Sequence, residues 1–231
     1  MDGILLVDKP AEWTSMDVCA HLRGVLHERH IGHTGTLDPN ATGLLVVLTG
    51  KGTKAAKYAE NDVKRYIARM RLGMRTDTQD VWGTVLDQSG TGCTREEIEA
   101  VLPLFCGDIM QLPPMYSAIK IRGKKLYEIA RRGGNVEREP RPITIFRLEL
   151  LDQDENGDWG LIIECSKGTY IRTLCADIGE RLGCGGCMSA LRRTRVGVFD
   201  ISEAHTLEEI RLNPERYILP VERITGKDSH E

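Results

Sequence analysis

The segment GILLVDKP, residues 3–10, is a short apolar run that Lys9 and Pro10 bring to an end. A second apolar run, LLVVL, occupies residues 44–48. Short continuous apolar runs bounded by turn residues are typical of strands that are buried on both faces. We therefore predict two buried strands. Between them we predict a helix that has Ser15 as its N-cap and buries Val18, Leu22, Val25 and Leu26.

Outward from these strands, helix and strand patterns alternate irregularly. Residues 53–59 predict a short helix, residues 66–72 a half-solvated strand, and Thr94 with Glu97 a capping box that opens a second helix. Residues 143–151 and 159–165 predict two strands, and a last helix opens at Thr169 or Tyr170 and ends at Gly183. This order predicts an α+β fold with a central mixed, largely antiparallel sheet flanked by helices.

Composition limits the classes of protein to consider. The 231 residues are 41% hydrophobic, which is enough for one sizeable core. No apolar run reaches the roughly 18 residues of a membrane helix, and Asp2 stands where a signal peptide carries basic residues. We expect a cytoplasmic protein. The seven cysteines predict reduced thiols, because the pair Cys184 and Cys187 lacks the second pair that a zinc ribbon needs.

Charge is distributed unevenly along the chain. The formal net charge is -3, yet residues 120–147 contain nine Lys or Arg against three Glu. A basic segment on an otherwise acidic chain is typical of a local contact with phosphates. A solvated loop rich in Lys and Arg has the same composition, so charge alone leaves both interpretations open.

Residues 28–42 lose all periodicity, which predicts a long loop, and residues 32–43 read GHTGTLDPNATG. Asp38 precedes a proline, and this disfavours a helical conformation at Asp38. The three glycines of this segment let the backbone turn tightly and approach a ligand. A loop that carries an acid, a histidine and hydroxyl groups is suited to catalysis on a flexible nucleotide. The alternative is an ordinary turn at Asp38 and Pro39, with His33 as a polar loop residue.

Two competing motifs fail on their residues. The pair Gly50 and Lys51 resembles part of a phosphate-binding loop, but the Walker pattern needs a glycine where Leu45 stands. Residues 27–33 carry a histidine at every third position, without the carboxylate or cysteine cluster of a metal site. We therefore predict neither a nucleotide-binding loop nor a bound metal.

A second candidate site lies in SKGTYIR, residues 166–172, at the predicted junction of a strand and a helix. The planar guanidinium of Arg172 can pair with a carboxylate and keep it ionised. A capped helix with a surface arginine fits the same residues.

Taken in order, these segments resemble the TruB family of tRNA pseudouridine-55 synthases. The resemblance runs from about Gly3 to about Pro220. It is carried by residues 3–10, 32–43, 64–66, 72–73, 75–80, 113–120, 123–128, 166–172 and 191–193. It implies a pseudouridine synthase fold, with residues 1–231 as a single catalytic domain and a basic, thumb-like insertion at about residues 120–147.

The resemblance also implies the catalytic groups. Asp38 is the essential carboxylate, Arg172 is its ion-pair partner, and Lys9 with Pro10 supports the loop structurally. Asp38 has three open routes: addition to the uracil ring, attack on C1′, or elimination of the C2′ proton to form a glycal. Each route needs an ionised carboxylate.

The substrate contacts implied by the resemblance are of two kinds. Tyr66 stacks on the target base and is a candidate for proton removal, Tyr170 and Leu191 line the base pocket, and His33 helps to displace the uridine. Contacts to the RNA backbone come from a thumb that closes over the RNA, and its basic residues are Lys124, Lys125, Arg131, Arg132, Arg138 and Arg141.

The implied activity is the isomerisation of the uridine at position 55, in the T-loop of tRNA, after base flipping. The reaction needs no cofactor. We expect the T-arm of tRNA as partner, a monomer, no obligate protein partner, and no C-terminal domain of the PUA type that many family members carry. Two alternatives remain: a non-catalytic tRNA-binding or folding module, and the catalytic subunit of a guide-RNA pseudouridylation particle.

Overall fold

The computed structural model describes residues 1–59, 63–90, 93–117, 119–121, 123–130, 132–134 and 136–225, without the side chains of residues 120, 121, 124, 125 and 225. The chain forms two compact units, residues 1–67 with 191–231 and residues 68–190. Among the described residues, no helix is both long and apolar enough to span a lipid bilayer.

The elements follow one another without a repeating order. In the first half of the chain they are β1 (Gly3–Lys9), α1 (Ser15–Leu26), β2 (Ile31–His33), β3 (Thr42–Thr49), a 3-10 helix (Gly50–Tyr58), β4 (Lys64–Leu72), β5 (Met74–Thr76), β6 (Val85–Gln88), α2 (Arg95–Val101), a 3-10 helix (Leu102–Phe105) and β7 (Gly107–Gln111). In the second half they are β8 (Lys120–Ile121), β9 (Lys124–Lys125), α3 (Leu126–Ala130), β10 (Arg141–Gln153), β11 (Trp159–Cys165), α4 (Ile171–Arg181), β12 (Gly186–Val196), β13 (Phe199–Asp200), a 3-10 helix (Ile201–Glu203), α5 (Leu207–Leu212), a 3-10 helix (Pro214–Tyr217) and α6 (Glu222–Thr225).

In the first unit, β3 is the central strand. It pairs antiparallel with β1 and β2 and parallel with the end of β12. Leu5 and Val47 face one core cluster, which includes Val18 and Leu22 of α1, and Leu6 and its neighbours in β3 face a second cluster. Both faces of β1 and β3 are therefore buried, which explains why these strands are continuous apolar runs.

The second unit includes the part of β4 from Ala68 onward. Its strand order is β4-β11-β10-β7, and the described pairs β10–β11 and β10–β7 are antiparallel. Helix α4 buries Leu174 and Ile178 completely. Two short hairpins, β5–β6 and β8–β9, lie outside this sheet. Among the strand pairs whose direction the structure describes, β3–β12 is parallel and the others are antiparallel. The predicted α+β class and the mixed, largely antiparallel sheet are therefore confirmed.

Several local predictions are also confirmed. Thr94 and Glu97 form the capping box of α2. Tyr170 is the N-cap of α4, and Gly183 adopts a positive φ of 79° just after the end of that helix. A glycine tolerates this left-handed conformation without a steric penalty, as a C′ residue must.

Other local predictions need correction. The N-cap of α1 is Thr14, whose extended backbone and capping box with Asp17 leave Ser15 as the first helical residue. The loop predicted over residues 28–42 contains β2, because Ile31 is buried and pairs with Thr49. The short helix is a 3-10 helix over residues 50–58, and β12 was not predicted.

Candidate active site

Asp38 lies on the loop of residues 32–43, hereafter the Asp38 loop, which connects β2 to β3. The residue is half-buried, and it is non-helical, as its position before a proline predicted. The backbone N–H of Ala41 donates to the carbonyl of Asp38 at 3.1 Å, and that of Thr34 donates to Val46 at 3.1 Å. The first bond lies within the loop, and the second attaches the start of the loop to β3.

Lys9, at the end of β1, contacts this loop through its side chain. Its side chain is completely buried, and Nζ donates to the carbonyls of Pro10 at 2.7 Å, Trp13 at 2.6 Å and Pro39 at 2.9 Å. Burial lowers the pKa of Lys9 to about 8, and the negative charge of Asp38 opposes that shift. A buried ammonium needs such acceptors, so the predicted structural role of Lys9 is consistent with its contacts.

Ser15 contacts the residue that precedes Asp38. Its hydroxyl accepts from the backbone N–H of Leu37 at 2.9 Å and donates to the carbonyl of the same residue at 3.2 Å. Both residues are buried, Ser15 to 2% exposure and Leu37 to 3%. The sequence indicated a helix cap at Ser15, and its contact with the loop was missed.

Arg193, on β12, is a third buried donor to the loop. It is 1% exposed, and its guanidinium donates to the carbonyls of Leu44 at 2.8 Å, Gly35 at 3.1 Å and Thr36 at 3.4 Å. Its backbone is paired with Gly43, where φ is +97° and a Cβ would collide with the Arg193 backbone. A glycine at the end of the loop is thus required by this close approach.

His33, at the start of the loop, is half-buried. Its Nδ1 atom is inaccessible to solvent and makes no hydrogen bond within the described part of the chain. Burial, together with the positive charge of Arg193, lowers the pKa of His33 below its usual value. The imidazole is therefore neutral at pH 7.

Tyr66 and Leu191, predicted to contact the base, belong to the same unit as the Asp38 loop. Tyr66 lies on β4 and Leu191 on β12, and each is 7% exposed. Such apolar surfaces with a small accessible part suit contact with an inserted base.

In the second unit, Arg172 lies in the first turn of α4 and is 5% exposed. Its guanidinium donates to the carbonyls of Thr78 and Tyr116, both at 2.9 Å, and lies 3.6 Å from a carboxylate oxygen of Asp80. Its predicted pairing with Asp38 remains a prediction.

Asp80 is a candidate site residue that the sequence did not single out. Its Oδ1 atom accepts from the hydroxyl of Thr78 at 2.6 Å and from the backbone N–H of Trp82 at 3.2 Å. These bonds orient the carboxylate whose other oxygen faces Arg172. The available signal was the block of residues 75–80, which contains two acidic residues and which the family resemblance already included.

Tyr170 precedes α4 and is held through its backbone. Its N–H donates to the side-chain oxygen of Gln111 at 2.8 Å, and its carbonyl accepts from the amide of the same glutamine at 3.1 Å. This pair of bonds fixes the N-cap of the helix that carries Arg172.

The basic segment, residues 120–147, is described in part. Arg131 lies outside the described residues, as do the side chains of Lys124 and Lys125. Arg132 and Arg141 are exposed. Arg122 and the side chain of Lys120 are also outside the described residues. Two other basic residues have local partners: Arg138 donates to the carbonyl of Pro113 at 2.8 Å, and Arg147 pairs with Glu149 at 2.7 Å.

Comparison with known families gives two consecutive matches. The family model for the TruB family pseudouridylate synthase N-terminal domain matches residues 23–171, and that for the tRNA pseudouridylate synthase B C-terminal domain matches residues 172–225. The chain is 47% identical to the tRNA pseudouridine synthase B of Syntrophomonas wolfei, over 96% of this chain and 77% of that protein. It is 46% identical to the tRNA pseudouridine synthase B of Opitutus terrae, over 96% and 93% of the two chains.

Solved structures give the same result. The chain resembles one in a Cbf5-Nop10-Gar1 complex, with a TM-score of 0.76 and 28% identity over 96% of this chain and 61% of that one. It also resembles one in an H/ACA RNP bound to a substrate RNA containing 2′-deoxyuridine, with a TM-score of 0.73, 26% identity, and 96% and 60% coverage. The chain thus spans about three fifths of those structural relatives. The predicted resemblance is confirmed: the chain belongs to the TruB family of pseudouridylate synthases.

Proposed function

We propose that the chain isomerises the uridine at position 55, in the T-loop of tRNA, to pseudouridine, with Asp38 as the catalytic carboxylate. The observation that carries the proposal is the Asp38 loop. A half-buried acid lies between Leu37 and Pro39, whose backbones are held by buried donors from α1 and β1. The curated relatives, named tRNA pseudouridine synthase B, support tRNA as the substrate.

The chemistry is an internal rearrangement. The N1–C1′ glycosidic bond breaks, the uracil turns, and a C5–C1′ bond forms. C5 loses its proton and N1 gains one, so atoms and electrons balance without an oxidant or a group donor. Asp38 supplies the carboxylate that adds to the ring, attacks C1′ or promotes the elimination. No cofactor enters any of these routes.

Before this rearrangement, the enzyme must extract the target base from the T-loop stack. Base flipping costs a few kcal/mol. Stacking on the ring of Tyr66 returns roughly 1–3 kcal/mol, and its hydroxyl is a candidate for removal of the C5 proton. His33 displaces the uridine, while Tyr170 and Leu191 line the base pocket.

Arg172 keeps the catalytic carboxylate ionised. Its contacts with Thr78, Tyr116 and Asp80 support this role, because they hold a buried guanidinium in one orientation. An arginine stays protonated even when it is buried.

We further propose that the chain acts in the cytoplasm as a monomer without an obligate protein partner, and that it recognises the T-arm alone. Sequence-specific RNA recognition usually targets loops whose bases can be splayed out and stacked. The test is incubation of the purified chain with an unmodified T-arm stem-loop and with an anticodon stem-loop of equal size, followed by pseudouridine-specific chemical mapping.

We expect a single pseudouridine in the T-arm hairpin and none in the anticodon hairpin. Equal modification of both would contradict the substrate assignment. Binding without product would favour the non-catalytic tRNA-binding module.

The likeness to chains from Cbf5 and H/ACA assemblies favours a second candidate, the catalytic subunit of a guide-RNA particle. The same assay separates the two. A guide-dependent subunit would leave both hairpins unmodified until a guide RNA and partner proteins are added.

A further inference from the structure

Ser15 is a buried polar residue that the reaction scheme does not use. Its hydroxyl makes hydrogen bonds to both the N–H and the carbonyl of Leu37, 22 positions away. A serine hydroxyl can donate one hydrogen bond and can also accept hydrogen bonds. Both capacities are therefore used on a single residue of the Asp38 loop.

Helix α1 does not require this hydroxyl. Thr14 is the N-cap, its side chain accepts from the backbone N–H of Asp17 at 3.0 Å, and Asp17 completes the capping box by accepting from the N–H of Thr14 at 2.8 Å. In a helix, alanine is a better residue than serine. The serine is thus explained by its contact with the loop and not by the helix.

The carbonyl of Leu37 belongs to the peptide bond that joins Leu37 to Asp38. Because a peptide unit is planar, a bond to this carbonyl also fixes the direction of the Asp38 backbone nitrogen. On the other side, Lys9 holds the carbonyl of Pro39, and the Asp38 carbonyl accepts from Ala41. The backbone around Asp38 is therefore restrained from both directions.

We infer that Ser15 is a positioning residue for Asp38. The inference rests on the proposed function, because it assigns Asp38 as the catalytic carboxylate. Without the hydroxyl, the N–H and the carbonyl of Leu37 lose this partner, the peptide units on both sides of Leu37 can rotate, and the Asp38 side chain moves with them. A displacement of about 1 Å in a reacting group can cost about 100-fold in rate.

The test compares Ser15→Ala with Thr14→Ala, its neighbour in the sequence. Both substitutions remove one hydroxyl at the start of α1, but only the first removes a contact with the Asp38 loop. The measurements are the single-turnover rate at saturating unmodified tRNA transcript, the Kd for that transcript, the thermal unfolding midpoint, and hydrogen–deuterium exchange of the peptide that contains Leu37.

We expect Ser15→Ala to reduce the single-turnover rate by roughly 10- to 100-fold, with an unchanged Kd and faster exchange at Leu37. Thr14→Ala should lower the unfolding midpoint while it retains the rate and the exchange. A wild-type rate for Ser15→Ala, or an equal loss of rate in Thr14→Ala, would overturn the inference.

Asp38→Asn, assayed in parallel, separates this inference from the proposed function. If Asp38→Asn remains active, the assignment of the catalytic carboxylate is wrong. If Asp38→Asn is inactive and Ser15→Ala is fully active, the positioning role alone is wrong.

Discussion

The Asp38 loop and the basic segment differ in the solvent exposure of the polar side chains that they use. In the loop, backbone carbonyls of Gly35, Thr36, Leu37 and Pro39 accept hydrogen bonds from side chains that are almost completely buried. In the basic segment, by contrast, Arg132 and Arg141 are exposed to solvent.

This contrast separates two physical tasks. Chemistry requires a reacting group whose position is set before the substrate arrives, since orientation reduces the barrier. Phosphate binding requires only positive charge at the surface, because the gain comes from releasing counterions. Substitutions in the loop should therefore change the rate, and substitutions in the basic segment should change the affinity and its salt dependence.

The largest effect should follow from Asp38→Asn, which keeps the size of the side chain and removes the proposed catalytic carboxylate. We expect at least a thousandfold loss of single-turnover rate, equivalent to about 4 kcal/mol of transition-state stabilisation. The Kd for unmodified tRNA should stay within about threefold, because the charges that bind phosphates are unchanged. The measurements are rapid-quench assays of pseudouridine formation and filter binding.

Asp38→Ala serves as the companion variant, since it cannot regain a carboxylate by deamidation. Turnover by the alanine variant near the wild-type rate would remove Asp38 from its proposed role.

A smaller effect should follow from Arg193→Lys. A lysine keeps the charge, but it cannot reproduce the planar fork that contacts Gly35, Thr36 and Leu44. At least one buried carbonyl then lacks a donor, so the free energy of unfolding should fall by about 2 kcal/mol. Urea unfolding measures this loss, and the single-turnover rate should fall as well.

The matched control is Arg195→Lys, two residues along the same strand. Arg195 is exposed and donates to the carbonyl of Gly197, so its replacement should change the stability by less than about 0.5 kcal/mol. Equal losses in the free energy of unfolding in both variants would show that the contacts of Arg193 with the loop stabilise the fold no more than the surface contact of Arg195.

These contacts also mark the limit of what the sequence predicts. The strands β1 and β3 and the capping box of Thr94 and Glu97 follow from local patterns, because each depends on residues that are close in sequence. Ser15 meets Leu37 across 22 positions, and Arg193 meets Gly35 across 158. No local periodicity encodes such pairs.

The same reason explains the missed strand β12. Buried strands are predicted from apolar runs, whereas β12 contains Arg192 and Arg193, which read as surface residues. Arg193 is nevertheless buried because backbone carbonyls satisfy its donors. The family resemblance pointed to Asp38, His33 and Arg172 through motifs, and to Lys9 as a support of the loop, but it gave no such role to Ser15 or Arg193.

A third effect concerns the pH dependence of stability. Burial and the charge of Arg193 lower the pKa of His33 in the folded chain. Below pH 6.5 the unfolded chain therefore binds a proton at this residue more readily, so stability should fall as the pH drops. Urea unfolding at pH 7.5 and pH 5.5 should show that wild type loses more stability than His33→Gln.

The control for this measurement is His30→Gln, because the side chain of His30 is 78% exposed. This variant should lose as much stability as wild type between the two pH values. If the stability of wild type and of His33→Gln depended on pH in the same way, the lowered pKa of the half-buried His33 would be contradicted.

The smallest effect on the rate should follow from replacing Arg132 and Arg141 together with Ala. Both side chains are exposed, so we expect no measurable loss of stability and an unchanged single-turnover rate at saturating tRNA. If each contacts one phosphate, the slope of log Kd against log salt should change by roughly 0.7–0.9 per lost contact. Filter binding at salt concentrations from about 50 to about 200 mM measures this slope.

The control is Arg147→Ala, in the same basic segment, because its charge is already paired with Glu149 at 2.7 Å. Its removal should leave the salt slope nearly unchanged, since a paired arginine displaces fewer counterions. The uridine that is modified should be the same in all variants, because phosphate contacts do not read sequence. An unchanged salt slope in the Arg132 and Arg141 variant would show that the basic segment is a solvated surface, and the contrast with the Asp38 loop would then concern stability alone.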